Sequence, residues 1–385
     1  MKKSQRPIWY EFFAGGGMAR LGLGTSWECV FANDICEKKA RAYRGYFGPS
    51  SELAVRDVGQ LTLRDLPGTP DLVWASFPCQ DLSLAGSGAG LEGHRSGTFR
   101  PFWALVRGLI REDRAPRIAV LENVVGTLSS HGGTDFSSIV MSLMESGYRT
   151  GAIVINASRF LPQSRPRLFI IGVRGDASLA PEIISEGPSR LWHTESVVRA
   201  YKQLPKSHSK NWLWWALPTP SHVVPSLVSI IEDDPVGVKW NSTSETQRLM
   251  NLMGPLHKKK VFQVSRLKGR HVGTIYKRTR PNRTGARVQR AEVRFDGISG
   301  CLRTPVGGSS RQTVIVIEDG EVRTRLLSAR EAARLMGVPD SYPIPQAYNE
   351  AYHLFGDGVA VPVVSWLDRH LLSPLLACGK FEQVA

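Results

Sequence analysis

A thiol, a carboxylate and two guanidiniums are the side chains of this sequence whose types and settings suit covalent and acid–base chemistry. Cys79 follows Asp71-Leu72-Val73-Trp74-Ala75-Ser76-Phe77-Pro78, an apolar run of strand length that Pro78 must end, because proline cannot donate to a ladder. That sets a nucleophile at the carboxyl end of a buried strand, where open α/β sheets bind their ligands. A lone cysteine is more often inert filling, so its neighbours decide the matter. Glu122 and Asn123 end a second apolar run, Ile118-Ala119-Val120-Leu121, and so emerge from the same sheet edge. A carboxylate there is either a solvated or capping group or a partner in acid–base work. In Gln163-Ser164-Arg165-Pro166-Arg167, Pro166 biases Arg165 toward extended backbone, so Gln163, Arg165 and Arg167 project from one side. Two guanidiniums and an amide on one face suit oxyanions and base edges, or else a salt-bridged strand edge.

Several elements must hold these groups. Residues 8–13 read as a strand that breaks into Ala14-Gly15-Gly16-Gly17 before a helix start at Met18. Such a turn lets a ligand approach the backbone closely and meet free N–H groups. The GxGxxG fingerprint is not met, because Arg20 stands at the third glycine position. A second strand at 29–32 ends in Asn33-Asp34, and an acid at that tip holds a ribose or caps the helix expected over 37–46. Asp57 ends a third short segment over the same crevice, and the three strand ends together point to an adenosine-type ligand. The glycine-rich stretch 84–97 is too long for a simple connector and reads as a mobile lid. Near the end, Ser328 and Glu331 form a capping box for a helix over 329–336. Asp357 is placed to N-cap a final helix over 359–372.

The 385 residues allow two domains, and 42% hydrophobic with 22% charged residues describes a globular chain. No apolar run is long enough to cross a bilayer and no signal-type core follows the basic start, which points to the cytoplasm. Five cysteines, Cys29, Cys36, Cys79, Cys301 and Cys378, form neither a CxxC pair nor a metal spacing, so no metal is expected and a reducing compartment fits. A net charge of +15 attracts polyanions. Periodicity weakens over 175–322, which carries a tryptophan cluster and a basic tract from 258 to 294, read as one nucleic-acid face. The following loop, with Arg303 and Thr304, suits a groove contact.

Taken in order, Phe13-Ala14-Gly15-Gly16-Gly17, Asn33-Asp34, Asp57-Val58, Phe77-Pro78-Cys79-Gln80, Glu122-Asn123-Val124, Gln163 to Arg167, Arg330 to Gly337 and Gly356-Asp357-Gly358-Val359 resemble the DNA (cytosine-5)-methyltransferases of bacterial restriction-modification systems. The resemblance spans nearly the whole chain. It implies an α/β, doubly wound, Rossmann-like S-adenosylmethionine-dependent domain over 1–174. A smaller, mostly irregular or β target-recognition domain is inserted over 175–322, and 323–385 returns to the catalytic domain. It implies S-adenosyl-L-methionine, leaving as S-adenosyl-L-homocysteine, held by Phe13, Ala14, Gly15, Gly17, Asp34, Ile35, Asp57, Val58, Pro78 and Asp357. Cys79 would attack C6 of a flipped-out cytosine, Glu122 would bond its N3 side, and Arg165 and Arg167 would hold its O2 side. Gln80, Ser83, Arg95, Asn123, Gln163, Arg303 and Thr304 would meet the substrate. Double-stranded DNA, a cognate restriction endonuclease and a monomeric protein in the bacterial cytoplasm complete the implication. The family's closing turn usually has asparagine where this chain has Asp357. A tRNA cytosine-5 methyltransferase and a non-catalytic DNA-binding scaffold of the same fold are the alternatives.

Overall fold

β-Branched and aromatic runs form the central sheet, in the chain order β1 (Ile8–Phe12), β2 (Glu28–Asp34), β3 (Leu53–Val55), β4 (Leu72–Ala75), β5 (Ile118–Val124), β6 (Tyr148–Asn156) and β7 (Pro166–Arg174). In this computed structural model of the protein, residues 6–49, 51–78, 96–221, 223–281, 285–303 and 311–378 are described. The strand order is β3-β2-β1-β4-β5-β7-β6, with β1 to β5 parallel and β7 antiparallel to both its neighbours. The chain winds outward from β1 to β3 and then starts again on the other side of β1. The winding therefore reverses between β1 and β4, the position at which open sheets bind ligands.

Leu72, Val73, Trp74 and Ala75 of β4 are all buried, as a parallel strand covered on both faces requires. The helix Phe99–Arg111 lays Phe102, Val106 and Leu109, spaced along one helical face, against this sheet.

The chain divides into two compact units, one of residues 1–156, 166–221 and 359–385, the other of 157–165 and 222–358. These bounds differ from 1–174, 175–322 and 323–385. The tryptophans explain the first difference. Trp214 and Trp215 form β9, which pairs with β8 (Ile184–Ser185), while Trp212, Trp214 and Tyr201 pack on the core of the first unit. A ladder explains the second. β12 (Thr313–Glu318) and β13 (Glu321–Leu326) pair residue by residue, so a boundary at 322 would cut a hairpin.

The returning segment is held to the first unit by a close helix contact. A Cβ on Gly22 would fall 2.4 Å from Cβ of Val364, so only glycine admits the helix Val361–Leu367 there. Ser365 donates to the Gly22 carbonyl at 2.7 Å, and the Trp27 indole donates to Asp368 at 2.8 Å. That helix continues through a π turn, Asp368–Leu372, into Ser373–Cys378. Asp357 is not its N-cap: it is the last residue of the helix Tyr348–Asp357, and Ala360 occupies the capping position.

The second unit is built on a four-stranded antiparallel sheet, in the order β11-β10-β12-β13, where β10 is Arg270–Pro281 and β11 is Arg287–Arg294. Ile275, Val293, Ile315 and Ile317 form its core with Val261 of the helix Pro255–Ser265. The expected capping box is present: Ser328 accepts from the Glu331 N–H, and the Glu331 carboxylate accepts from the Ser328 N–H. Glu331 also pairs with Arg325 at 2.6 Å with both side chains fully buried. Removing one partner of a buried pair strands the other charge. Glu331→Ala is therefore expected to cost about 3–5 kcal/mol, read as a fall in the denaturant midpoint. An unchanged midpoint would show that Arg325 finds other acceptors.

Candidate active site

Four strand ends meet at the reversal point of the first unit. At the end of β1, Phe13 has φ +58°, a strained left-handed backbone for a bulky side chain. It is half-buried and its ring meets Phe102 edge-on, with centroids 6.3 Å apart. Ala14 donates to the Asn33 carbonyl at 2.8 Å, stitching the turn to β2. Gly15 (φ +57°) is a left-handed position where an added Cβ would meet nothing nearer than Lys39 Cδ at 4.0 Å, so the backbone there is open to a ligand. Gly17 answers a different need. Its Cβ would collide with Phe47 at 2.4 Å and Tyr43 at 2.9 Å, so it lets the helix Glu37–Phe47 pack against the turn.

Asp34 ends β2 and is buried. One carboxylate oxygen accepts from Gly15 N–H and the other from Cys36 N–H, both at 2.8 Å. Asp34 thus ties the glycine turn to the start of the next helix, whose N-cap is Cys36. Ile35 beside it is 68% exposed, an apolar side chain facing out at the crevice. Asp57 is exposed and accepts from Gly59 N–H at 2.8 Å, while Val58 is buried in the core beneath it. Pro78 is half-buried. Cys79, Gln80, Ser83, Arg95 and Thr304 lie outside the described residues, as does the stretch 84–95 of the expected lid.

Glu122 and Asn123 lie within β5 and not beyond its end. Their side chains take opposite faces. Val124 is paired with Arg167 of β7, so Glu122 and Arg167 are diagonal neighbours on one face, and Arg167 Nε meets Glu122 Oε1 at 3.2 Å with both groups largely buried. On the other face Asn123 donates to the Phe77 carbonyl at 3.3 Å, bracing the segment that leads to Cys79.

Gln163 and Arg165 belong to the second unit and have structural tasks there, in place of the base-reading side shared with Arg167 that their spacing suggests. Gln163 is fully buried, donating to the Leu335 carbonyl at 2.6 Å and accepting from Leu302 N–H at 3.1 Å. Arg165 is buried and donates to the carbonyls of Leu302, Gly356 and Gly358 at 2.7–3.0 Å. The alternation of side chains holds only inside a strand, and β7 begins at Pro166. Arg303 is exposed.

Sequence reasoning missed Glu11, whose one signal is an acid inside an apolar strand. Its buried carboxyl receives backbone N–H groups of Ala19 and Arg20, and Oε2 has no partner. Burial raises its pKa to about 8, with Asp34 adding to the rise and Arg20 opposing it. The folded chain therefore keeps this proton to about pH 8, whereas an unfolded carboxyl of ordinary pKa 4.5 has lost it. Stability from this group is present below pH 4.5 and declines as pH rises toward 8. Glu11→Gln is expected to flatten that part of the stability–pH curve; an unaltered slope would show that Glu11 does not titrate there. Burial also pushes the Cys29 thiol up to about 12, which marks it as inert packing.

Comparison with known proteins agrees with this geometry. The family model described as C-5 cytosine-specific DNA methylase matches residues 9–372. The chain is 26% identical to the Type II methyltransferase M.HhaI of Haemophilus parahaemolyticus, over 95% of this chain and 94% of that protein. It is 25% identical to M.HpaII of Haemophilus parainfluenzae, over 95% and 89%. Among solved structures, S. pombe Dnmt2 methyltransferase aligns with a TM-score of 0.57 at 17% identity, over 96% of this chain and 99% of that one. The Entamoeba histolytica methyltransferase EhMeth aligns at 0.59 and 14%, over 97% and 99%. These two likenesses speak for the Rossmann-like methyltransferase fold alone. The match across nearly the full length, on a sheet whose strand ends bring Glu122 to Arg167 beside the approach to Cys79, means that the chain belongs to the C-5 cytosine-specific DNA methylase family and is a DNA cytosine-5-methyltransferase.

Proposed function

We propose that the protein methylates C5 of a flipped-out cytosine within a specific duplex sequence through a transient covalent bond to Cys79, as the modification enzyme of a restriction-modification system. The observation that carries this reading is the pairing of Glu122 with Arg167 one residue from Asn123, which braces the chain just before Cys79. The methyl donor is S-adenosyl-L-methionine. The left-handed glycine at position 15, with open space where a side chain would stand, and the buried Asp34 carboxylate suit such a ligand. Phe13, Ala14, Gly15, Asp34, Ile35 and Asp57 would hold it, with Gly17, Val58 and Pro78 shaping the cradle. Bound there, it supplies a methyl group activated on a sulfonium.

Cytosine C5 is a poor nucleophile while the ring stays aromatic. The Cys79 thiolate adds to C6, forming a sulfur–carbon bond and moving the C5–C6 π pair toward C5, so one hard step becomes two easier ones. An ordinary thiol near pKa 8.5 is mostly protonated at neutral pH, so its setting must favour the thiolate. Glu122 hydrogen-bonds the N3 and exocyclic-amine edge and stabilises the charge that addition creates. Arg167 orients Glu122 and faces O2. Once C5 carries the methyl group, loss of its proton breaks the bond to Cys79 and restores aromaticity. A base inside a duplex cannot reach these groups, so the cytosine must leave the stack.

A monomer acting in the bacterial cytoplasm beside a cognate restriction endonuclease completes the proposal. Methyl incorporation into duplex DNA and into tRNA, measured side by side, tests the substrate. Incorporation into the duplex, followed by bisulfite mapping to one recurring site, is expected. Incorporation into tRNA alone would overturn it.

A further inference from the structure

The basic tract of residues 258–294 does not form a single face. Directly paired residues of adjacent strands share a side of their sheet. Thr274 pairs with Arg294, Tyr276 with Glu292 and Arg278 with Arg290, and all six stand on one side. Ile275, Val293 and Ala291 stand on the other, in the core beneath the helix Pro255–Ser265. Lys258 and Lys259, both exposed, are carried by that helix. Arginines and lysines that are continuous in sequence therefore flank opposite sides of one sheet, and a duplex resting on one side cannot touch the other.

We propose that the DNA backbone lies along the arginine side, at Arg278 and Arg290, and not along the lysine-bearing helix. This rests on the reading of the protein as a duplex methyltransferase. Like charges directly opposed across a strand pair are destabilising. Arg278 is compensated by Glu292 at 3.2 Å, but Arg290, exposed, has no ion pair among the described residues. An excess of guanidinium held in this way is offset by phosphate, which its planar fork binds at two oxygens.

The neighbouring loop is seated on the same side. The Tyr276 hydroxyl donates to the Cys301 carbonyl at 3.3 Å, and a Cβ on Gly300 would fall 1.8 Å from that hydroxyl, so glycine alone permits the approach. Arg303, exposed, follows two residues later and adds its charge to that side. The helix behind the sheet exposes Leu256 (64%) and Phe262 (63%) among its lysines, an apolar surface unsuited to a phosphate backbone.

Fluorescence anisotropy on a site-bearing duplex, titrated with salt, separates the two sides. Each phosphate contact contributes roughly 0.9 to the slope of log affinity against log salt. Arg278→Gln with Arg290→Gln is expected to lower that slope by about 2, and Lys258→Gln with Lys259→Gln to leave it unchanged. If the arginine pair melts early, Arg290→Gln alone should lower it by about 1. A slope flattened by the lysine pair only, or by neither while the parent binds steeply, overturns the proposal. A parent that fails to bind any duplex overturns the functional reading and this proposal with it.

Discussion

Cys79→Ser is expected to abolish methyl transfer, by roughly four orders of magnitude or more, while duplex binding and cofactor binding persist. Serine keeps the shape of the side chain and removes its nucleophilicity: a hydroxyl is essentially unionised at neutral pH, whereas a thiol has a usable thiolate fraction. Asn123 bonds the Phe77 carbonyl, so the segment leading to position 79 keeps that brace in the variant. Methyl incorporation and gel-shift affinity, measured on one preparation, check both halves. Near-normal turnover would remove Cys79 from the reaction.

Glu122→Gln is expected to lower the rate by about 10²–10⁴-fold with little change in cofactor affinity. The amide keeps the volume and an acceptor but removes the charge. In the parent, the carboxylate is held by Arg167 at 3.2 Å with both side chains largely desolvated. Glutamine leaves that guanidinium without its counter-charge and cannot share a proton with N3 as negative charge builds on the ring during Cys79 addition. Asp34 and the glycine turn lie on other strands, so a calorimetric titration with S-adenosylmethionine should barely move. A rate within a few fold of the parent would reassign Glu122 to a structural role, and a collapse in cofactor affinity would place it in the wrong site.

The strand-end groups were legible because each closes an apolar run. The run before Asp34, the one before Glu122 and the one broken by Pro78 all become parallel strands of one sheet, so their ends had to converge. Gln163 and Arg165 were not legible. Alternation assumes a strand, but only Arg167 lies in β7, and the two preceding side chains turn into the second unit to hold Leu302, Leu335, Gly356 and Gly358. Asp357 misled for a related reason. An acid before a helical pattern reads as an N-cap, yet the preceding helix consumes it. The tryptophan-rich stretch after β7 has weak periodicity because its strands are two residues long, so composition alone assigned it to the wrong unit. The split of the basic tract across a sheet was invisible for a general reason: charge counts carry no information about faces.

The bond between the Cys79 sulfur and a pyrimidine carbon is open to direct capture. Replacing the target cytosine with 5-fluorocytosine leaves no proton at C5 to remove, so elimination of the thiol is blocked. Incubated with S-adenosylmethionine and such DNA, the protein should form an adduct that survives denaturing electrophoresis and maps by mass spectrometry to the peptide containing Cys79. No adduct, or an adduct on another residue, would contradict the account.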